Sequence, residues 1–492
     1  MTLTWQQNEE NINEQVFTIE TRLNQRNNKD LIDFLNRYRE FYGHVFRVVW
    51  HIYKNHNKSF GMNESKFTTY LCNRFDIVSR VANSIVTDVK ARYKSMLELQ
   101  KTQNNELKTK IKTLTRECDK LKEKLNKNKE KARDNQLTEK QLQWYRNDKL
   151  RLYALQQRIN KSKNRFDQRE SRLKDNIVDI CFGTKKLFKA QYHLEKSGFP
   201  SHKHWKDKFH KEKNKNILIV GDKNQLSGNG ILQLAYNQHI NKVPEFSIKL
   251  RDFNKPKKYY EGICTFKHKF LRDVLCDNIV SQDRLHGVTY RFVFRGSKCY
   301  LQALIIINRI QCVHARTWMT RSTYGVIGLD FNSGHIDAVE TDRHGNIVDI
   351  KQYKLKYHGS GNKADNEVCH IVKQIVQNAQ NKGKDIVQES LNFQSKKGKT
   401  KKSRSYKGKD YNTMLHTLDY ARFEHRLKNC CFHYGVYLIK VNPAYTTKIA
   451  KQKYCEPKKL VSHQGAAYVI ARRGQGFKDV YYDKSKNQKI II

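Results

Sequence analysis

Two heptad series of apolar residues, separated by a short polar break, constrain this chain more than any other feature. The first series alternates spacings of four and three residues, at Leu107, Ile111, Leu114, Cys118, Leu121 and Leu125. The second repeats every seven residues, at Tyr145, Leu152, Ile159, Phe166 and Leu173. Seams of this kind form where long helices pack side by side. The polar break at 133–135 favours an antiparallel helical hairpin over a dimerising coiled coil, and the choice between monomer and dimer stays open.

The charge of the chain predicts a polyanionic partner. Its 492 residues include 95 Lys and Arg against 48 Asp and Glu, which gives a formal net charge of +47. Such a charge opposes compaction unless a polyanion neutralises it. Nucleic acid is the obvious partner because cations that neutralise phosphates release condensed counterions. A membrane surface is the weaker alternative, since no apolar run is long enough to span a bilayer.

The N-terminus and the cysteines predict a reducing, cytoplasmic setting. The first fifteen residues, MTLTWQQNEENINEQ, contain neither the basic region nor the apolar region of a signal peptide. The eleven cysteines are scattered, and no pair has C-x-x-C spacing. Free thiols are therefore expected.

Hydrophobic periodicity divides the rest of the chain. A strand is predicted at 15–23, and helices are predicted at 30–56 and 76–100. From about residue 176, strand-like runs separated by Gly, Asn and Asp predict a β-rich domain, plausibly a barrel, whose last clear strand ends near Ile307. Strands and helices then alternate to about residue 475, which is typical of an α/β layer.

Two acidic residues follow apolar strands in the α/β part. Asp330 ends the strand after Gly325, and Glu389 ends the short strand around Ile386 and Val387. Ligands of α/β sheets gather at the carboxyl ends of strands, so both carboxylates are expected there. Two carboxylates brought together repel each other unless a cation lies between them. The pair therefore predicts a Mg²⁺ site, and two such ions can activate water and stabilise the leaving oxygen in phosphodiester cleavage.

A third candidate lies in the segment VSHQGAAYVIARRG, 461–474. Ser462 is expected to cap a helix, which places His463 in its first turn. The small residues at 465–467 should allow close packing, and Gly474 is expected to end the helix. Each of these residues alone has an ordinary structural interpretation. Their joint occurrence with two strand-end acids in a very basic chain favours a catalytic site.

Four segments of this part resemble the RuvC motifs of the TnpB family, which are insertion-sequence-encoded, RNA-guided DNA nucleases related to type V CRISPR effectors. The segments are IGLDFNSGHIDAVETDRHGNIV (327–348), IVQESLNF (386–393), VNPAYTTKIAKQKY (441–454) and HQGAAYVIARRG (463–474). The resemblance is specific over 323–475 and weaker elsewhere.

The resemblance implies a multidomain fold of α/β and β class. An N-terminal strand (1–25) would join a wedge β-barrel, and a helical recognition lobe (26–175) would carry the coiled-coil hairpin. A wedge-like β-rich domain (176–322) would precede an RNase H-like (RuvC) nuclease domain (323–475). Residues 476–492 would form a C-terminal tail.

By motif, Asp330 is similar to the family's first catalytic aspartate and Glu389 to its catalytic glutamate. The chain has His463 where the family usually has a third aspartate, and histidine can ligate a metal through a ring nitrogen. The resemblance thus implies Asp330, Glu389 and His463 as catalytic residues and ligands of Mg²⁺, held as two ions. No ribbon cysteines follow the VNPAYTT segment, with only Cys455 nearby, so no structural zinc is expected. We therefore interpret the chain as a zinc-ribbon-less variant.

A lysine-rich run follows Glu389. In the family this region lies over the catalytic cleft, so a lid loop is expected at about 391–412, disordered until nucleic acid neutralises it. The candidates for nucleic-acid contact are Lys396, Lys397, Lys399, Lys401, Lys402, Arg404, Arg472 and Arg473.

These features predict an RNA-guided, metal-dependent DNA endonuclease whose partners are a guide RNA and a target DNA. Base pairing with the guide would supply most of the specificity. The alternative is a nuclease-inactive, RNA-guided DNA-binding repressor or a transposition accessory protein, motivated by His463 and the missing zinc ribbon. A transposase that joins DNA ends is a third hypothesis.

Overall fold

The computed structural model shows two compact units that interleave along the chain. In the described part, one unit (the nuclease-candidate unit) comprises 106–162 and 308 onward, and the other (the β-rich unit) comprises 14–105 and 163–307. The division by sequence into a recognition lobe, a wedge and a nuclease domain stays a prediction. The structure describes residues 14–56, 60–134, 136–178, 180–237, 245–255, 257–281, 286–308, 324–332, 334–356, 362–390, 419–483 and 488–491.

Helices open the β-rich unit after its first strand. The predicted helix at 30–56 is α1, Lys29–Asn55, which buries one apolar face. A second helix, α2 (Glu64–Phe75), was not predicted, although Phe67, Leu71 and Phe75 follow one another at the four-residue spacing of a helix face. The side chain of Asn63 caps α2 by accepting a hydrogen bond from the Ser65 N–H at 2.9 Å. The helix predicted at 76–100 is the first part of α3, Ser79–Arg133, which continues for 55 residues.

The helical hairpin is confirmed. Helix α3 ends at Arg133, and α4 runs over Glu139–Lys174, so the turn falls at the predicted polar break. The ammonium of Lys124 on α3 lies 2.6 Å from the Asp148 carboxylate on α4. The seam between the helices contains Leu114, Cys118, Leu121, Leu125, Tyr145, Leu152, Leu155 and Ile159.

The strands of the β-rich unit form two antiparallel sheets. One has the order β1-β7-β6-β2 and the other β3-β4-β5. The strands are β1 (Glu14–Arg22), β2 (Asn216–Ile219), β3 (Leu232–Asn237), β4 (Glu245–Arg251), β5 (Tyr259–Thr265), β6 (Thr289–Arg295) and β7 (Lys298–Asn308). Three helices interrupt this region, which the sequence analysis had assigned to strands alone: α5 (Lys185–Lys189), α6 (His202–Lys213) and α7 (Lys269–Val280).

Hydrogen bonds outside the strand ladders join these two sheets. The Thr21 hydroxyl on β1 donates to the Thr265 carbonyl on β5 at 2.6 Å. The Asn229 side-chain amide, just before β3, donates to the Val288 carbonyl at 3.0 Å and to the Val220 carbonyl at 3.3 Å. These bonds bring the sheet edges together, while a closed barrel stays a prediction.

A five-stranded mixed sheet forms the centre of the nuclease-candidate unit. Its order is β10-β9-β8-β11-β12, with antiparallel β10-β9-β8 and parallel β8-β11-β12. The strands are β8 (Val326–Phe331), β9 (His335–Thr341), β10 (Ile347–Lys354), β11 (Asp385–Glu389) and β12 (Leu438–Val441).

Helices cover both faces of this sheet, which confirms the predicted α/β layer. Helices α8 (Asn362–Asn381) and α9 (Asp419–His433) pack on one face. A helical turn, α10 (Thr446–Ile449), continues into a π-helical segment before α11 (Ser462–Gly474), which packs on the other face. Because both faces are covered, the first four residues of β8 are all buried.

The predicted C-terminal tail forms a two-stranded antiparallel hairpin of β13 (Val480–Asp483) and β14 (Gln488–Ile491). Among the helices that the structure describes, none is both long enough and apolar enough to cross a membrane.

Candidate nuclease site

Asp330 lies where β8 leaves the core. It is opposite Asp337 in the antiparallel pairing of β8 with β9, so both side chains are on one face of the sheet. The Asp330 side chain is 15% exposed. One of its oxygens, Oδ2, accepts a hydrogen bond from the Asn332 side-chain amide at 2.9 Å.

Glu389 reaches the same face of the sheet as Asp330. Strands β8 and β11 are parallel, and Gln388 pairs with Leu329, so Glu389 and Asp330 are the next residues on each strand. Two residues earlier in β8, Gly328 faces α11, and side chains alternate along a strand, so Asp330 faces α11 too. Val387, the β11 residue paired with Gly328, also packs against α11, which places the Glu389 side chain on that same side.

A hydroxyl group orients the Glu389 carboxylate. The Thr446 Oγ1 of α10 donates to Glu389 Oε1 at 2.6 Å. The sequence analysis did not single out Thr446, because nothing in its local pattern shows that α10 folds back to the end of β11.

His463 completes the set of predicted residues. It lies in the first turn of α11, and its Nδ1 is 3.2 Å from Asp330 Oδ2. The hydrogen bond to Asp330 raises the pKa of His463 above 6.5, against the effect of burial, and the charge of Asp337 adds to the rise. The raised pKa favours the protonated ring beside the Asp330 carboxylate.

The cap of α11 differs from the prediction. Ser462 is the first helical residue, and the N-cap is Val461, whose N–H donates to the Gln464 side chain at 3.3 Å. Valine has no side-chain acceptor, so Gln464 satisfies the cap from inside the helix. Gly474 is the last helical residue, but Gly476 takes the left-handed conformation with φ of +92°. The helix thus ends at Gly474 as predicted, and the left-handed residue that follows its end is Gly476.

Glycines allow α11 to lie close to the sheet. A Cβ added at Gly328 would lie 2.3 Å from the Ala467 carbonyl oxygen, and one at Gly474 would lie 2.3 Å from a methyl of Val387. The predicted close packing is therefore confirmed at Ala467, and also at Gly465, where a Cβ would lie 2.7 Å from Cys455 Sγ. This approach holds His463 next to Asp330.

Replacing Gly328 with alanine should destabilise the nuclease-candidate unit by about 3 kcal/mol, because the new methyl group would meet helix backbone that cannot move aside. Hydrogen exchange of β8 and α11 measures the loss. Gly334→Ala is the matched control, since a Cβ at Gly334 has no atom within 4 Å. Equal protection in the two variants would contradict the close contact.

Three residues beside the predicted set escaped the sequence analysis. Asp337 is fully buried, and its Oδ1 accepts a hydrogen bond from the Gln352 side chain on β10 at 3.1 Å. His335 Nε2 lies 3.0 Å from Asp337 Oδ2, although that oxygen has no aligned hydrogen-bond partner. The His335 ring is 5.2 Å from the His463 ring. The alternation of HIDAVET predicts a strand. It does not predict the pairing register that places Asp337 opposite Asp330.

The predicted three-residue metal set is not preassembled. In the described ranges, no group of three or more His, Cys, Asp and Glu side chains is arranged to hold a metal ion. The carboxylates of Asp330 and Glu389 provide the hard oxygen donors that suit Mg²⁺, and they share one face and one end of the sheet. His463 is engaged with Asp330. The donor chemistry therefore fits a metal at the two acids, with His463 beside them.

Two of the predicted nucleic-acid contacts are described, and both make internal contacts. The Arg472 guanidinium stacks on Phe477 at 4.6 Å and lies near Tyr454 and Tyr468. Arg473 donates to the Asn442 carbonyl and, at 3.2 Å, to the Ala444 carbonyl. Their role in binding stays a prediction. Outside the described residues lie the lid and the candidates Lys396, Lys397, Lys399, Lys401, Lys402 and Arg404.

The His463–Asp330 pair makes a testable prediction about pH. Because the His463 pKa is raised in the folded protein, the pair stabilises the fold fully below pH 6.5 and loses its effect as the pH rises through the raised pKa. Asp330→Asn should lower the His463 pKa in a histidine-selective NMR titration. The pKa of His210, in the other unit, is the internal control. An unchanged His463 pKa would show that the pair does not form.

Comparison with known proteins gives a coarse likeness. Neither a protein-family model nor a curated protein matches the chain. A solved CRISPR-Cas12f ternary complex is 13% identical in sequence to this chain. The match covers 93% of this chain and 98% of the Cas12f chain, with a TM-score of 0.18. The Cas12i1–crRNA binary complex is 12% identical in sequence. That match covers 86% of this chain and 52% of the Cas12i1 chain, with a TM-score of 0.25. At TM-scores this low, the likeness defines neither the fold nor the activity of this chain.

Proposed function

We propose that the chain is an RNA-guided, metal-dependent DNA endonuclease with a RuvC-type site. The position of Asp330 and Glu389 carries the proposal: they end neighbouring parallel strands and share a face of the mixed sheet. Two carboxylates on one face of a sheet repel each other, which suits a bound cation at the carboxyl ends of the strands. The same proposal includes the RNase H-like identity of this sheet, the wedge barrel and the relationship to TnpB proteins.

In the proposed site, Asp330 and Glu389 hold Mg²⁺, with His463 as a third ligand through a ring nitrogen. Bound Mg²⁺, as one or two ions, would activate water and stabilise the leaving oxygen of a phosphodiester. Thr446 holds the Glu389 carboxylate in place through its hydroxyl. Asn332 does the same for Asp330 through its amide. Both hydrogen bonds restrict the side-chain motion of the acids.

Guide RNA and target DNA are the proposed partners. The net charge of +47 supports a polyanionic ligand, because such a charge opposes compaction in its absence. The long hairpin of α3 and α4 supports it too, since basic side chains cover the outer faces of both helices. Base pairing would then select the target, as in other RNA-guided nucleases.

The protein expressed with its flanking DNA tests this proposal. We expect RNA to purify with it, and we expect the complex to cut a plasmid library that carries the matching target and random flanks. Cutting should occur with magnesium and stop with EDTA. Absence of bound RNA would refute the guided function.

A specific contact favours the nuclease-inactive alternative, a guide-dependent repressor or accessory protein. His463 occupies Asp330, and no three-ligand metal group is formed among the described residues. This alternative predicts bound RNA and retention of the target plasmid, with no cutting in magnesium. The same plasmid experiment therefore separates the two functions.

A further inference from the structure

A basic cavity lies in the β-rich unit, separate from the proposed nuclease site. Its volume is about 110 Å³, and its wall is formed by α1, α3, the end of α6, the start of β2 and residues 180–183. One water molecule needs only roughly 10–15 Å³ by the same kind of measure, so the cavity has room for a larger polar group. The cations that line it are Arg47, Arg92, Lys213 and Lys215.

Two of these four cations are neutralised within the protein. The Arg92 Nε lies 3.1 Å from the Asp88 carboxylate, and its guanidinium stacks on Phe46 at 4.8 Å. The Lys215 ammonium lies 3.3 Å from the Glu212 carboxylate. These two side chains already have carboxylate partners, which makes them the weaker candidates to bind an anionic ligand.

Neither of the other two cations forms an ion pair with a carboxylate in the described ranges, although the charge of Glu40 acts on Lys213 and the Lys213 ammonium lies 3.5 Å from His210 Nε2. Arg47 Nη1 donates to the neutral Asn214 side chain at 2.7 Å, and Gly43 leaves the space for this contact. Burial lowers the pKa of Lys213, and the charge of Arg47 lowers it further. Burial also lowers the pKa of Arg47. Partly buried cations are stabilised when an anion binds beside them.

We infer that this cavity binds a phosphate monoester through Arg47 and Lys213, and that the monoester is the terminal phosphate of a nucleic-acid strand. A monoester carries close to two negative charges, which match the two cations that form no ion pair in the described ranges, whereas an internal phosphodiester carries one. Arginine presents a fixed fork of donors to phosphate, and lysine adds a mobile point charge. The inference rests on nucleic acid as the ligand in the proposed function, but it does not depend on cleavage.

Binding of matched short oligoribonucleotides tests the inference. We compare a 5′-phosphorylated, a 3′-phosphorylated and an unphosphorylated strand by fluorescence anisotropy, with the full-length protein freed of bound RNA by high salt. One phosphorylated end should bind about tenfold more tightly than the unphosphorylated strand, because charge-assisted hydrogen bonds are the strong ones. Lys213→Gln and Arg47→Gln should each remove this preference. Lys211→Gln is the matched control, since Lys211 is on the same helix and does not line the cavity.

Competition by inorganic phosphate distinguishes a site for the terminal phosphate of a strand from a site for free phosphate. If it competes only in proteins that keep Arg47 and Lys213, and strand ends give no preference, the site binds free phosphate, and the strand-end assignment is wrong. If no phosphate species shows an effect that depends on Lys213 or Arg47, the whole inference is refuted. Because Arg47 also contacts Asn214, Lys213→Gln remains decisive should Arg47→Gln fail to fold.

The test of the phosphate site can also be distinguished from the test of the proposed nuclease function. Asp330→Asn should leave the preference for phosphorylated strands unchanged. RNA binding without any end preference would remove only this inference, whereas a failure to bind RNA at all would remove the guided function as well.

Discussion

Replacing Asp330 with asparagine is expected to reduce magnesium-dependent DNA cleavage by about 10³-fold or more, because a catalytic metal contributes several kcal/mol to lowering the barrier. The substitution keeps the shape of the side chain and removes the charge that would hold the ion. RNA binding and target binding should be unchanged, since Asp330 lies at the end of the central sheet and its neighbours stay in place. Single-turnover cleavage and filter binding measure the two properties separately.

Asp365→Asn is the matched control for this variant. Asp365 lies on α8 and pairs with Arg426 at 2.7 Å on the surface, so its loss makes the same change in charge within the same unit. Cleavage by the control should stay within about twofold of wild type, as expected for a surface ion pair. If Asp330→Asn cuts at the wild-type rate, Asp330 is not a catalytic ligand.

Replacing Lys384 with methionine is expected to destabilise the nuclease-candidate unit by about 3 kcal/mol, because it leaves a buried carboxylate with one cation fewer. The Lys384 ammonium lies 2.7 Å from Glu340 Oε1 and 2.7 Å from the Thr341 carbonyl, and the two charged side chains are 9% and 7% exposed. The half-exposed Lys382 also pairs with Glu340. Hydrogen exchange of β9 and β11 measures the change.

The Lys384 effect should depend on pH. Burial alone would raise the pKa of Glu340, but the hydrogen bonds from Lys382 and Lys384 outweigh it, so the pKa lies below 4.5. The ion pairs therefore stabilise the fold above that value and lose their effect as the pH falls through the lowered pKa. The difference between wild type and Lys384→Met should shrink in acid. Lys351→Met, which breaks an exposed pair with Asp349, should cost less than about 0.5 kcal/mol at every pH.

Features set by local periodicity were predictable from the sequence. The hairpin followed from heptads, because residues seven apart meet on one side of each helix whatever the rest of the chain does. The strand-end positions of Asp330 and Glu389 followed from apolar runs that stop at an acid. Helix α2 was missed although its local pattern was available, because Asn63 caps its start and Phe67, Leu71 and Phe75 recur at four-residue spacing.

Features set by distant pairing were not predictable. Asp337 and His335 are close to Asp330 and His463 only through the register of β9 against β8. The cavity cation Arg47 meets Asn214 across 167 residues of sequence. In α11, Ser462 was the predicted N-cap. The N-cap is Val461, whose N–H donates a hydrogen bond to the Gln464 side chain.

The magnesium affinity of the purified protein tests most directly whether Asp330 and Glu389 share a metal ion. We would titrate Mg²⁺ by calorimetry into wild type, Asp330→Asn, Glu389→Gln and the Asp365→Asn control. Wild type and the control should bind alike, and each active-site variant should lose at least about tenfold in affinity, because each lacks one charged oxygen ligand. Equal magnesium binding in all four proteins would contradict the proposed metal site.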